Sequence, residues 1–261
     1  MLPGGPAVNS GQRALLSTLG AALIQGSCLP RIGAERTIIG CDMKGQIVIV
    51  SGTTGAGKTT TCGAFARRAE KAYLMLGMDL LVGSMFPGKY TLFGEKKAEG
   101  YGGDTFGPMA MKAIEAMHAM IAAASRAGQN MVIDHSLFLD PPMLQDCIWR
   151  MADVPVLFVN LKPSREVLER RVSERKIELP PPMLEAVGGP EGVKRLAEKL
   201  VAITPWFYQH VYQNDIYDLE LDSSRLSPDE VCERIEARLA QGAGTAFEEL
   251  RQRYPRPIGV Q

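Results

Sequence analysis

The sequence predicts an α/β fold, a doubly wound parallel five-stranded sheet, on three observations. Apolar runs of strand length alternate with helical stretches from Gln46 to Ala240. The runs are nearly continuous in hydrophobic residues, as strands covered on both faces are. The first run, Ile47-Val48-Ile49-Val50, leads straight into the turn Gly52-Thr53-Thr54-Gly55-Ala56-Gly57-Lys58-Thr59, and a helix follows. Joining parallel strands needs a crossover, and the helical stretches supply one between each pair.

In chain order, Gln46–Ser51 is the first strand and Lys58–Lys71 the first helix, rich in Ala, Arg and Lys. Tyr73–Gly77 is a second apolar run that ends at Met78-Asp79. Residues 83–107 are rich in Gly and contain Lys89, Lys96 and Lys97; a stretch of that length without periodicity is either functional or disordered. Pro108 opens the helix Met109–Ala127, with Met, Ile and Ala at helical spacing, and Gly128 closes it. The methionine stripe Met109, Met111, Met117 and Met120 reads as core packing. Asn130–Asp134 is the third strand, Pro141–Met151 a short helix and Val154–Leu161 the fourth strand. Pro163–Lys176 is a highly charged helix, and Leu179–Pro190, with Pro180-Pro181-Pro182 and Gly188-Gly189-Pro190, reads as a loop. Gly192–Gln209 is helical, Ile216–Leu221 is the fifth strand and Pro228–Ala240 a closing helix. From Gln241 the chain is rich in Gly, Arg and Pro and reads as a frayed tail.

This gives an N-terminal extension 1–44, a core domain 45–240 with a lid at about 171–195, and a tail 241–261. Residues 14–24 are apolar and follow Arg13, a pattern shared with weak secretion signals. The run is too short to span a membrane. A helical extension, or a start site at Met43 just before the first strand, fits it better. A chain beginning at Met43 is expected to fold. The 261 residues are 46% hydrophobic and 22% charged with formal net charge +0, so there is no basic footprint for nucleic acid. The cysteines, Cys28, Cys41, Cys62, Cys147 and Cys232, are scattered and odd in number. That argues against a disulfide framework or a zinc knuckle and fits a reducing cytoplasm.

The chemistry starts at the glycine turn. Gly52–Thr59 matches G-x-x-x-x-G-K-[ST] in full and stands between a strand and a helix, the setting in which that motif has a mechanism. Glycines let backbone N–H groups converge on an anion, and the helix N-terminus adds its positive end. The expected site for ATP·Mg²⁺ is therefore Gly52, Thr53, Thr54, Gly55, Ala56, Gly57, Lys58, Thr59 and Thr60. Lys58 reaches the β- and γ-phosphates, and Thr59 offers its hydroxyl to Mg²⁺. Asp134 ends an apolar strand, as the Mg²⁺-side acid of such sites does. His135 follows it where motor-type ATPases carry a glutamate, and either binds substrate or packs behind the site. Asp79 ends the second strand and is either a general base for an acceptor hydroxyl or the N-cap of a helix at Leu80–Met85. On the helix Pro163–Lys176, Arg171 and Arg175 are four apart, so they project from one face. They serve either a phosphoryl-transfer lid or a solvated face paired with Glu169 and Glu174. His118, His210 and Asp222 read as structural.

From about Gln46 to Leu239 the chain resembles the chloramphenicol phosphotransferase family. Gly52–Thr59, Gly77-Met78-Asp79, Phe106-Gly107-Pro108, Arg126-Ala127-Gly128, Val132-Ile133-Asp134 and Val156-Leu157-Phe158-Val159 carry the resemblance. So do the helix with Glu169, Arg171 and Arg175, and the strand Tyr217–Asp222. The resemblance implies a phosphate-loop fold of nucleotide-kinase type with a small helical lid. It places a catalytic base at Asp79 and lid arginines at Arg171 and Arg175, beside the catalytic Lys58. Where the family has a second acid, this chain has His135. The expected activity is ATP-dependent transfer of the γ-phosphate to a small-molecule hydroxyl. The acceptor is left open among chloramphenicol, another antibiotic or metabolite, and a nucleotide sugar as in zeta-toxin-like kinases. A nucleotide-switch ATPase or GTPase is the competing class, against which stands the lack of an N-K-x-D motif and of an Asp-Glu pair after the third strand. Oligomeric state, including a homo-oligomer, is left open.

Overall fold

A computed structural model describes residues 43–78, 81, 108–179 and 181–257. The N-terminal extension 1–42, Asp79 and the Gly/Lys-rich stretch 83–107 lie outside the described residues. The described strands are β1 (Ile47–Ser51), β2 (Leu74–Gly77), β3 (Met131–Asp134), β4 (Val156–Leu161) and β5 (Leu219–Leu221). The helices are α1 (Lys58–Arg68), α2 (Pro108–Arg126), α3 (Met143–Arg150), α4 (Arg165–Ser173), α5 (Pro181–Ala186), α6 (Gly189–Val211), α7 (Pro228–Leu239) and α8 (Ala246–Arg253).

The five strands form one sheet in the order β2-β3-β1-β4-β5, every pairing parallel. β1 is central and fully buried. Alternation along it builds two cores, because successive side chains point to opposite faces. Ile47 and Ile49 join Met131, Ile133 and Phe158 beneath Ile114, Met117 and Ile121 of α2, Leu144 and Ile148 of α3, and Phe247 and Leu250 of α8. Val48 and Val50 join Val132, Leu157 and Val159 beneath Cys62 and Phe65 of α1 and Val231, Cys232 and Ile235 of α7. Fully burying each of these aliphatic or aromatic side chains contributes roughly 1.5–3 kcal/mol, which is why such short strands hold. Helix α1 ends at Arg68, three residues before Lys71, with Ala69 as its C-cap.

Other elements also differ from the sequence expectation. Helix α4 stops at Ser173, three residues before Lys176. Inside the stretch read as a loop, Pro181–Ala186 is helical, and α6 then begins at Gly189 with Pro190 in its first turn, where proline lacks no needed donor. The fifth strand is reduced to Leu219–Leu221; Asp218 N–H still donates to Phe158 O at 2.9 Å, and the Asp218 side chain caps a helix. That helix, α8, lies where a frayed tail was expected. Asp218 Oδ1 accepts from the N–H groups of Thr245 and Ala246 at 2.7 and 3.0 Å, and Oδ2 accepts from Phe158 N–H at 2.8 Å. One carboxylate thus ties β4 to the start of α8, the end at which an anion is favoured. Phe247 packs edge-on to Phe158 with centroids 5.2 Å apart, and Trp149 Nε1 donates to Tyr254 O at 3.1 Å.

No described helix is long and apolar enough to cross a membrane. The described cysteines, Cys62, Cys147 and Cys232, are buried free thiols.

Candidate active site

The order β2-β3-β1-β4-β5 reverses direction on either side of β1, and ligands of such sheets bind at the carboxyl ends of the strands near that reversal. The glycine turn leaves β1 at that edge. Gly55 has φ +84 and a side chain there would meet Val172 Cγ2 at 2.8 Å, so only glycine lets α4 close over the turn. Gly57 is the left-handed N-cap of α1, with φ 96 and no side-chain cap. The first N–H groups of α1 therefore lack a side-chain partner and carry the positive end of the helix dipole.

The carbonyls of the turn are fixed from behind. Ser136 Oγ donates to Gly52 O at 2.8 Å, and Ser223 Oγ donates to Ala56 O at 2.8 Å. Tyr212 accepts from Thr53 N–H at 3.3 Å and donates to Leu161 O at 2.7 Å. Burial pushes the Tyr212 phenol well above its ordinary range, so it remains a neutral donor. Thr53 Oγ1 is buried without a partner.

At the start of α1, Lys58 Nζ donates to Thr53 O at 3.1 Å and lies 3.7 Å from Asp134 Oδ1. Thr59 Oγ1 donates to Asp134 Oδ2. Alternation in β3 explains the meeting: Asp134 shares the face of Val132, the side that packs on α1. Asp134 is the acid of this cluster, and its oxygens with that of Thr59 form a small set of hard donors. Among the described residues no group of three or more His, Cys, Asp or Glu side chains surrounds a common point. One carboxylate and one hydroxyl fit Mg²⁺, which keeps several waters and takes phosphate oxygens for the rest. The orphaned Thr53 hydroxyl and the glycine cradle fit an anion beside it.

His135 takes the opposite face. Its N–H donates to Val50 O at 3.2 Å, extending the β3 pairing by one residue. Its ring is buried against α2 and α3, with Nε2 2.8 Å from Nε2 of His118. His118 Nδ1 lies 2.6 Å from Asp146 Oδ2, and Arg150 Nε donates to both Asp146 oxygens at 2.8 and 3.0 Å. Burial, then His118 and Lys58, holds the His135 imidazole well below its ordinary pKa, so the ring is neutral. His118 is structural in the sense expected, yet it is also a polar link. Asp222 serves a turn, accepting from Ser224 N–H at 2.9 Å.

The two arginines part company. Arg171 Nη2 donates to Ser223 O at 2.7 Å, so it grips the residue that holds Ala56 of the glycine turn. Arg175 stands past the end of α4, its N–H bonded to Val172 O at 3.3 Å and its side chain exposed. Four-residue spacing does not place them on one helical face here. β2 reaches the same edge at Gly77, in register with Asp134. Asp79 lies outside the described residues. Ser136, Ser223, Tyr212, His118 and Asp146 went unnoticed as parts of this edge, because nothing local marks a side chain that acts on a segment 17 to 167 residues away.

No curated relative matches the chain by sequence. Among solved structures it is similar to the APS kinase of Mycobacterium tuberculosis in complex with AMPPNP and APS, at 16% identity and TM-score 0.51, covering 76% of this chain and 98% of that one. It is also similar to a putative kinase from Chloroflexus aurantiacus, at 14% identity and TM-score 0.49, covering 77% and 99%. A gluconokinase from Sinorhizobium meliloti matches at 17% identity and TM-score 0.47, covering 82% and 99%. At 16% identity the likeness to the APS kinase is one of fold. A family model described as chloramphenicol phosphotransferase-like protein matches residues 45–240, which takes in β1 through α7 and leaves α8 outside. With the glycine turn, Lys58, Thr59 and Asp134 gathered at the switch point of a parallel sheet, the chain belongs to the chloramphenicol phosphotransferase-like family.

Proposed function

We propose that the protein is an ATP-dependent kinase that transfers the γ-phosphate to a hydroxyl of a small molecule, with chloramphenicol the first acceptor to test. The observation that carries this reading is the Lys58–Asp134–Thr59 cluster at the mouth of the glycine turn. Backbone N–H groups of Gly52–Thr60 bind the phosphates, and Lys58 adds a cation that Asp134 and Thr53 O hold in place. Thr59 and Asp134 hold Mg²⁺, which when bound neutralises charge on the phosphate oxygens. Little covalent work falls to the protein in phosphoryl transfer; positioning and charge neutralisation dominate. Arg171, anchored on Ser223, and Arg175, free at the end of α4, supply further positive charge from the lid side. Asp79, two residues after Gly77 in the sequence, receives the acceptor's proton, the role the family resemblance implies for it. The second acid of the family is replaced here by a neutral, buried His135, which sets the acceptor side apart.

The test is ATP consumption by the purified protein against hydroxylated antibiotics and metabolites, chloramphenicol among them, with mass detection of a phosphorylated product. Product that depends on both ATP and acceptor supports the reading. Rapid hydrolysis of nucleotide without any acceptor, and no product with any, overturns it in favour of a switch-type module.

A further inference from the structure

Tyr212, the C-cap residue of α6, stands 159 residues after Thr53 in the sequence and meets the glycine turn at one backbone group. The directions of its two bonds are fixed by their partners. A carbonyl oxygen only accepts and an amide N–H only donates. The phenol proton therefore goes to Leu161 O at 2.7 Å, and a lone pair of the same oxygen takes Thr53 N–H at 3.3 Å. The ring is braced: Tyr208 packs edge-on with centroids 4.9 Å apart, and Lys162 Nζ stands 5.6 Å from its centroid. β4 and the turn are close here, since a Cβ on Gly52 would lie 2.6 Å from the same Leu161 O. One hydroxyl thus joins the last residue of β4 to the second residue of the turn. On its other side Thr53 holds the cation of the turn. Thr53 O accepts from Lys58 Nζ at 3.1 Å and from Ala56 N–H at 3.1 Å. Thr53 is wholly buried, and its N–H and C=O flank one Cα, so what fixes the first limits where the second can point.

We infer that Tyr212 is a positioning residue for the phosphate-binding turn: its hydroxyl fixes Thr53, and Thr53 O in turn sets where Lys58 Nζ stands. The consequence for phosphate rests on the kinase reading above, whereas the tether rests on the two bonds alone. No proton changes hands through the phenol. Phosphoryl transfer asks for charge that is already aimed, so that none of the barrier goes to reorganising it. Tyr212 also closes α6, and α6 packs on α4, whose Arg171 grips Ser223 and through it Ala56 O. The turn is thus held at Thr53 from the end of α6 and at Ala56 from α4. Tyr212→Phe keeps the ring with its Tyr208 and Lys162 contacts and removes the oxygen alone. Thr53 N–H and Leu161 O then lose this partner, and Lys58 loses its fixed aim.

The test is an amide-resolved NMR titration with Mg·AMPPNP, which also reads weak binding. Its Kd is expected to be about tenfold weaker in Tyr212→Phe than in wild type, the scale of one hydrogen bond. In a Lys58→Ala background the same change is expected to weaken binding less than about twofold, because residues that act as a unit are not additive. A full tenfold loss in that background overturns the route through Lys58. Gly244→Ala, which crowds Asp218 and Val156 O at the opposite edge of the sheet, is the control for stability. A merely structural Tyr212 predicts that both variants lower the melting temperature and keep the wild-type Kd. Equal Kd in wild type and Tyr212→Phe overturns the inference and leaves the kinase reading standing; wild type that binds no Mg·AMPPNP overturns both. Before nucleotide is added, the Thr53 amide proton is expected to exchange slowly with solvent in the wild type and faster in Tyr212→Phe. Exchange in the wild type at the rate of an unstructured peptide overturns the tether, even where Tyr212→Phe fails to fold.

Discussion

The two edges of the sheet are finished differently. At the amino edge the polar groups close on one another. Gly45 and Ser125 exchange bonds of 2.7 and 2.5 Å, Asn130 Oδ1 accepts from Gln46 N–H at 2.8 Å, and Gln46 Nε2 donates to Ile47 O and Pro155 O. Asp218 spends both oxygens on β4 and α8, and Asp153 takes Arg126 and Lys44. At the carboxyl edge Thr53 Oγ1, His135 Nδ1 and Asn160 Oδ1 are buried with no partner. Native interiors pair nearly all such groups, so the contrast marks the edge where a ligand completes the set. The amino edge is built for stability, the carboxyl edge for something that binds. Variants at the first are expected to move melting temperature, and variants at the second turnover.

The largest separation is expected from Lys58→Ala. It deletes the cation beside the phosphate positions while alanine suits the first turn of a helix. Transfer falls below detection and the melting temperature stays near that of wild type. A purified Lys58→Ala protein with near-wild-type kcat would falsify the phosphate-loop assignment and the comparison with it.

Asp79→Asn is expected to lower kcat for the acceptor by about 10² or more with little change in ATP affinity, since general-base assistance contributes ~10²–10⁴. Asparagine caps a helix nearly as well as aspartate. If Asp79 is instead a cap, rate and stability both survive. Rates within about threefold of wild type, against a tenfold effect for each 1.36 kcal/mol of barrier, sink the base assignment.

Gly244→Ala attacks the amino edge. Its Cβ would lie 2.0 Å from Asp218 Oδ2 and 2.5 Å from Val156 O, so α8 must shift or Asp218 must let go. A loss of about 1–3 kcal/mol is expected, read by thermal or denaturant unfolding, with KM for ATP unchanged. A normal melting temperature with impaired nucleotide binding inverts the assignment of the two edges.

The legibility of the two edges also differs. The phosphate loop, the parallel α/β class and Asp134 were legible because each is local: a glycine pattern, a two-residue alternation, an acid at a strand end. Helix α8 was not, because Ala246–Arg253 carries just three buried residues, Ala246, Phe247 and Leu250, among Glu, Arg and Gln, and its N-terminus is capped by Asp218, 28 residues earlier. The arginine pair was misread for a related reason. Spacing implies a shared face only while the helix lasts, and the chain leaves α4 at Glu174, before Arg175. The His118–His135–Asp146 chain is invisible in sequence, since its members come from three elements that meet only after β3 packs on α2 and α3.

The smallest effect sharpens the comparison at the solvent end of the amino edge. Asp153 accepts from Arg126 Nε and Nη2 at 3.0 and 2.8 Å and from Lys44 Nζ at 3.1 Å. The Arg126 hydrogen bonds above all, opposed by partial burial and reinforced by Lys44, hold its carboxyl well below the usual carboxylate range. Because Asp153 is 47% exposed, solvent screens the cluster, and Asp153→Ala is expected to cost at most about 1 kcal/mol at neutral pH. The sign follows from linkage: a carboxyl whose folded pKa is depressed adds stability above its unfolded value of about 3.9 and loses it as pH falls through the folded value. The gap in unfolding free energy between wild type and Asp153→Ala is therefore flat from neutral pH to about pH 5 and narrows below about pH 4. It also shrinks in about 1 M salt, where the screening length is near 3 Å. A gap that persists undiminished at about pH 3 shows that Asp153 acts through packing rather than charge, and leaves hydrogen-bond closure of this edge to Gln46, Ser125 and Asp218.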